Sequence, residues 1–192
     1  MNVDFRKSNG DNMISISYLQ MVLFITAIWV MIRGINLSKN KHIDLKREAQ
    51  LLLVYICIVV VVRFTFCPFG MINGKIQPLL FDYQKILPFW VNLKPFVYLF
   101  DYPSLREALL NLIGNTAMFV PLGIVWPAVF KKLNTHGKII AAGVGATLTI
   151  ELLQLPFYDR ATDIDDLILN SAGYLIGYGI YLLVMRLRKD TQ

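Results

Sequence analysis

Carboxylates, amides and two arginines interrupt long apolar runs in this sequence, at spacings that would gather them. Glu151 and Gln154 lie in Thr149-Ile-Glu151-Leu-Leu-Gln154-Leu-Pro156 and share a helix face. Asp163, Asp166 and Asn170 are spaced i, i+3, i+7 and form one stripe. Asn111 and Asn115 share a face of another run, Arg63 interrupts a fourth, and Arg160 precedes the acidic stripe. Paired carboxylates suit general acid–base chemistry. Guanidinium groups match phosphate geometry. In a bilayer, an ionisable group at the midplane costs at least about 2.5–3.5 kcal/mol, and less near the interface. Each such group therefore needs a reason to be there.

Plainer reasons exist. Thr162 or Asp163 would N-cap a helix, with Asp165 or Asp166 completing the capping pattern. Acids in a first turn also complement the helix dipole. Asp159 suits a turn, Asn111 and Asn115 suit interhelical hydrogen bonds, and Arg63 could snorkel. Capping accounts for Asp165 best and for Asp163 in part. Glu151, Asp166 and Arg160 are better explained by function.

The elements that must carry these groups are transmembrane helices. Of 192 residues, 56% are hydrophobic and only 17% charged, against about a quarter charged in average globular chains; the mean hydropathy is +0.53. A spanning helix needs roughly 20 mostly apolar residues. Five blocks qualify: 14–32, 49–69, 108–130, 139–156 and 167–185. The expected fold class is an all-α integral membrane protein, a bundle of about five transmembrane helices with an interfacial, aromatic-rich extracellular segment. The expected divisions are 1–48 (a first helix and basic loop), 49–186 (the main transmembrane domain) and 187–192 (a cytoplasmic tail). The first block is too long for a signal-peptide core and lacks a small-residue cleavage site, so it reads as a retained helix.

Charge sets the expected orientation. Eleven Lys and Arg residues fall in the connections 33–47 and 131–138 and after residue 185, and seven lie on the other side. Basic residues collect in cytoplasmic loops, so the N-terminus is expected outside and the C-terminus in the cytoplasm. The formal charge of +6 is therefore topogenic; no basic stripe with interleaved aromatics points to nucleic acid. Cys57 and Cys67 are ten residues apart on one helix, about 15 Å, too far for a disulfide. His42 and His136 fall in cytoplasmic connections, leaving no His-based metal site, and no nucleophile elbow or phosphate-binding loop occurs. No metal or cofactor is expected.

Residues 70–106 carry Phe81, Tyr83, Phe89, Trp90, Phe96, Tyr98, Phe100 and Tyr102 among four prolines. Short interfacial segments on the outer surface are expected there. Gly173 and Gly177 extend the Asp166–Asn170 stripe in a small-xxx-small pattern that marks a close helix contact. The fourth block, with Ala142, Gly143 and Ala146, is the expected neighbour. At 1.5 Å per residue, Gln154 and Asp166 sit near the outer boundary, Glu151, Asn111, Asn170 and Arg63 roughly 6–10 Å below it, and Asn115 about 12 Å. Groups from four helices then converge on one layer of the outer leaflet.

Several runs carry a family resemblance. Asn111-Leu-Ile-Gly-Asn115-Thr-Ala-Met-Phe119-Val-Pro121-Leu-Gly123 resembles the signature third-helix motif of the VanZ-like family. Ile150-Glu151-Leu-Leu-Gln154 is similar to its next motif, and 160–173 to its last; Asn92-Leu-Lys-Pro95-Phe96 resembles the Asn-x-x-Pro-Phe stretch before them. All occur in order over roughly residues 50–185. The resemblance implies a bacterial cytoplasmic-membrane protein, Gram-positive in setting and linked to teicoplanin resistance. The family has also been proposed to resemble integral-membrane enzymes acting on lipid head groups.

Three functions follow as expectations. The first is an enzyme acting on a phosphate-bearing lipid head group or lipid-linked cell-wall precursor. In it Glu151, Asp166 and Asp163 are the candidate catalytic residues, and Arg63, Arg160, Asn111, Asn115, Gln154, Asn170 and Asn92 bind substrate. The second is a binder of lipidated glycopeptide through the aromatic connection. The third is a transporter or partner subunit, disfavoured because the polar groups stop in the outer half.

Overall fold

The computed structural model describes residues 13–40, 43–67, 71–72, 74–82, 91–96, 104–157, 160 and 162–191. Five helices dominate it: α1 (Tyr18–Asn40), α2 (Leu45–Phe66), α3 (Leu105–Val129), α4 (His136–Gln154) and α5 (Ile164–Asp190). All but α4 are long and apolar enough to cross a membrane by length and hydropathy alone. At 19 residues, α4 is about 28 Å long, close to the thickness of the hydrocarbon core. It leads from the end where α3 finishes to the end where α5 begins, so it runs the depth of the bundle. The chain is an all-α membrane protein.

Local capping sets the helix ends. Ser17 and Gln20 form a reciprocal capping box: Gln20 N–H donates to Ser17 Oγ at 3.2 Å, and Ser17 N–H to Gln20 Oε1 at 2.7 Å. That box starts α1 at Tyr18, four residues after the expected Ile14. Residues 14–16 instead belong to strand β1 (Met13–Ile16). Asp44 caps α2, accepting from the Lys46 and Arg47 amides, so the charged first turn is helical and α2 starts before Ala49. Ser104, Thr135 and Asp163 cap α3, α4 and α5. Arg33 and Lys39 extend α1 past its apolar block, and Arg33 pairs with Glu48 of α2.

Short strands follow α2: β2 (Met71–Ile72), β3 (Lys75–Ile76), β4 (Leu79–Asp82) and β5 (Val91–Asn92), with β6 (Thr162–Asp163) preceding α5. β1 pairs antiparallel with β4, β2 with β3, and β5 pairs parallel with β6. The expected interfacial segment is thus partly extended backbone. Much of its aromatic content, at 83–90 and 97–103, lies outside the described residues.

The core lies between α2, α3, α4 and α5: Cys57, Val61, Met118, Phe119, Leu122, Ile139, Tyr174 and Tyr178. The Gly173–Gly177 face meets α3, not α4 as expected. A Cβ on Gly173 would overlap the Thr116 carbonyl, one on Gly177 the Val120 carbonyl, and one on Gly123 the Tyr174 carbonyl. Small residues on both helices let the backbones touch. α4 uses Gly143 differently, to seat the ring of Tyr174. α1 stands to the side and touches α2 through Trp29 and Thr26 on Tyr55.

Candidate functional site

The tight α3–α5 contact puts the polar stripes of both helices face to face at one end of the bundle, where α2 and α4 finish. Asn115 donates its side-chain amide to Asp166 and, at 3.4 Å, to Asn111. The depth estimate had set Asn115 well below Asp166. Gly173, nine residues into α5, meets Thr116, eleven residues into α3, so the two helices start within about 3 Å of one level, and the Asn115 side chain, tilted toward its helix N-terminus, reaches up to Asp166.

Glu151 is 2% exposed. Its Oε2 accepts the Asp163 N–H at 3.1 Å, and its backbone carbonyl accepts the Thr162 hydroxyl at 2.7 Å. The last turn of α4 is thereby laced to β6. Asp163, Asp166 and Arg160 all lie within electrostatic range of its carboxylate. Asp163 caps α5 through the Asp165 N–H at 2.9 Å and also accepts the Asn92 side-chain amide at 3.1 Å. Asn92, marked in sequence only by the motif before the third helix, thus reaches the acid layer through the β5–β6 pair.

Asp165 corrects the capping assignment. It is 6% exposed and accepts the Phe96 N–H at 2.8 Å, pinning the loop after β5 to the head of α5. Phe96 itself has φ +63°, a left-handed backbone that costs a bulky residue energy and that this bond helps to hold.

The remaining candidates divide. Gln154, 3% exposed, donates to the Thr65 carbonyl at 2.5 Å. Arg160 Nε donates to the Phe66 carbonyl at 3.2 Å, and Arg63 Nη1 reaches the Cys67 carbonyl at 3.5 Å. Both cations thus meet the C-terminal end of α2, where they complement the helix dipole. Arg63 also lies over the rings of Tyr18 and Phe64. Arg160 is in electrostatic range of Glu151 and Asp166, and Arg63 of Cys67 and Tyr18. The structure brings together Glu151, Asp163, Asp166, Asn115, Asn111, Asn92 and Arg160, and sets Arg63 to one side. Asn170, one turn below Asp166, is 1% exposed, and its Oδ1 has no hydrogen-bond partner among the described residues. The same holds for Gln154 Oε1.

Residues that the sequence reading missed include Thr65 and Phe96, which act through backbone groups that no side-chain pattern reveals. Thr162, expected as an alternative cap to Asp163, donates its hydroxyl to the end of α4 instead. Among the described residues, no group of three or more His, Cys, Asp or Glu side chains is placed to hold a metal ion.

Fold and site define a polytopic helical membrane protein that buries a carboxylate–amide layer at one end of its bundle. The VanZ/LLP1 family profile matches residues 52–185, and the chain belongs to that family. The match begins within α2 and leaves α1 outside. Over 91 residues the chain is 33% identical to Protein VanZ of Enterococcus faecium, a stretch covering 47% of this chain and 52% of that relative. The chain thus spans about half the length of the curated relative it matches. No solved structure matches it.

Proposed function

We propose that this protein acts at the outer leaflet of a bacterial cytoplasmic membrane on a phosphate-bearing lipid head group or lipid-linked cell-wall precursor, and thereby contributes to teicoplanin resistance. The observation that carries this reading is the near-complete burial of Glu151 beside Asp163 and Asp166. Burying a carboxylate is costly, and an acceptor for one backbone N–H could be supplied by an amide without that cost. A carboxylate is needed where a proton must move.

In this reading Glu151 and Asp166 hold one proton between them. The ionised partner takes the proton of the attacking hydroxyl or water as its oxygen bonds to the reacting centre. The protonated partner gives its proton to the leaving oxygen as that bond breaks. Arg160 neutralises the phosphate, while Asn115, Asn111, Gln154, Asn170 and Asn92 orient the head group. Arg63 acts from the rim. Asp163 positions Glu151 through its amide. Among the described residues the buried carboxylates and amides gather at this end of the bundle, and toward the other leaflet the core holds Phe119 and Leu122 with the phenols Tyr174 and Tyr178, which supports chemistry confined to one leaflet over a transport path. The excess of Lys and Arg at the far end supports an outside N-terminus and a cytoplasmic C-terminus.

The test is the lipid and wall-precursor profile, by mass spectrometry, of a susceptible Gram-positive host expressing the wild type or Glu151→Gln/Asp166→Asn. A new or depleted species with the wild type, absent with the double variant, is expected. An unchanged profile beside intact protection would contradict catalysis and leave a binder of lipidated glycopeptide.

A further inference from the structure

At the opposite end of the bundle, a cleft of about 710 Å³ opens between the start of α2 and the end of α3. Lys46 and Arg47 form one wall, and Lys131 and Lys132 the other, with Asp44 the one acid among the described residues of the lining. These bases come from the first turn of α2 and from the connection after α3, far apart in sequence. They converge because Leu51 and Val54 of α2 pack on Val129 of α3.

The acid does little to offset them. Asp44 Oδ1 is committed to capping α2, accepting the Lys46 N–H at 3.0 Å and the Arg47 N–H at 3.3 Å. The nearby Glu48 is turned to Arg33. Arg47 Nη1 donates to the Val129 carbonyl at 2.5 Å, which fixes its guanidinium at the cleft wall. The α2 N-terminus adds its positive dipole end. Topogenic sorting counts Lys and Arg in a loop; the α2–α3 packing goes further and sets four of them around one cleft.

Its flanks indicate the source of the anion. Ile43 is 60% and Leu45 79% exposed, directly beside the capping Asp44 and the basic pair. Apolar side chains next to a basic cleft at a helix end suit the boundary between acyl chains and head groups. A dissolved anion would gain nothing from them. We infer that this cleft holds the phosphate of an anionic phospholipid of the adjacent leaflet, gripped between Lys46–Arg47 and Lys131–Lys132. The site is separate from the acid layer and does not depend on its proposed chemistry.

The experiment is thermal unfolding of the full chain in neutral-detergent micelles doped with phosphatidylglycerol or phosphatidylcholine, with native mass spectrometry of retained lipid. The wild type is expected to gain stability and keep bound lipid with phosphatidylglycerol alone. Lys131→Gln/Lys132→Gln, at exposed positions, is expected to lose most of that gain. Lys46→Gln on the other wall provides a second variant should the first unfold, and it must weaken the response too. Equal responses to both lipids, or an undiminished response in the folded variants, would overturn the inference. So would inorganic phosphate reproducing the gain at matched ionic strength, which would make the cleft a site for dissolved anions.

Discussion

Asp163 donates its backbone N–H to the Glu151 carboxylate at 3.1 Å, so the residue that caps α5 also fixes the acid that ends α4. The hydrogen bond needs an oxygen at position 151, not a charge. Glu151→Gln should therefore fold with stability within about 1 kcal/mol of the wild type, while Glu151→Ala should lose about 1–3 kcal/mol by orphaning the amide. Thermal unfolding in detergent checks both, and a Gln variant as unstable as the Ala variant would show that the charge itself holds the fold.

Gly173→Ala should be severely destabilising, by about 3 kcal/mol or more, because its Cβ would enter the Thr116 carbonyl and two backbones would have to part. Gly179→Ala is the control: nothing lies within 4 Å of its Cβ, and alanine is the better helix former by about 1 kcal/mol. Monodisperse yield and unfolding temperature should move in opposite directions for the two.

How legible these features were in sequence depends on their range. Five apolar blocks announced five helices, since hydropathy is a local property. Their ends were less visible: the Ser17–Gln20 box and the Asp44 cap recruit polar first turns that a hydropathy window discards. Which helix faces Gly173 was not legible either, because α3 and α4 both carry small residues and only the approach of α3 and α5 backbones decides between them. In the acid layer, the i, i+3, i+7 stripe placed Asp166 and Asn170 on the packing face correctly. The role of Asp165 was out of reach, for its partner is a backbone N–H 69 residues away in sequence.

Asp165→Ala should free the loop at Phe96. Hydrogen exchange at the Phe96 amide should accelerate in that variant and stay near wild type in Asp165→Asn, which keeps an oxygen acceptor. Equal protection in the Ala variant would mean that the loop is held by other contacts.

Cysteine labelling reads the orientation directly, since Cys57 and Cys67 are 9% and 0% exposed and give little background. Lys94→Cys, beside the acid layer, should react with a membrane-impermeant maleimide on intact cells. Lys132→Cys should react only after permeabilisation. The reverse pattern would move the acid layer to the cytoplasmic leaflet and end the outer-leaflet reading.

Whether the buried acids carry the proposed function is read from drug susceptibility at matched membrane abundance. Wild type and Glu151→Gln/Asp166→Asn, both verified as folded, are expressed in a susceptible Gram-positive host, and inhibitory concentrations of teicoplanin and vancomycin are measured. The wild type is expected to raise the teicoplanin value, and the double variant to return it to the level of the empty vector. Equal protection by the double variant would contradict that role, leaving Glu151 and Asp166 as struts of the fold alone.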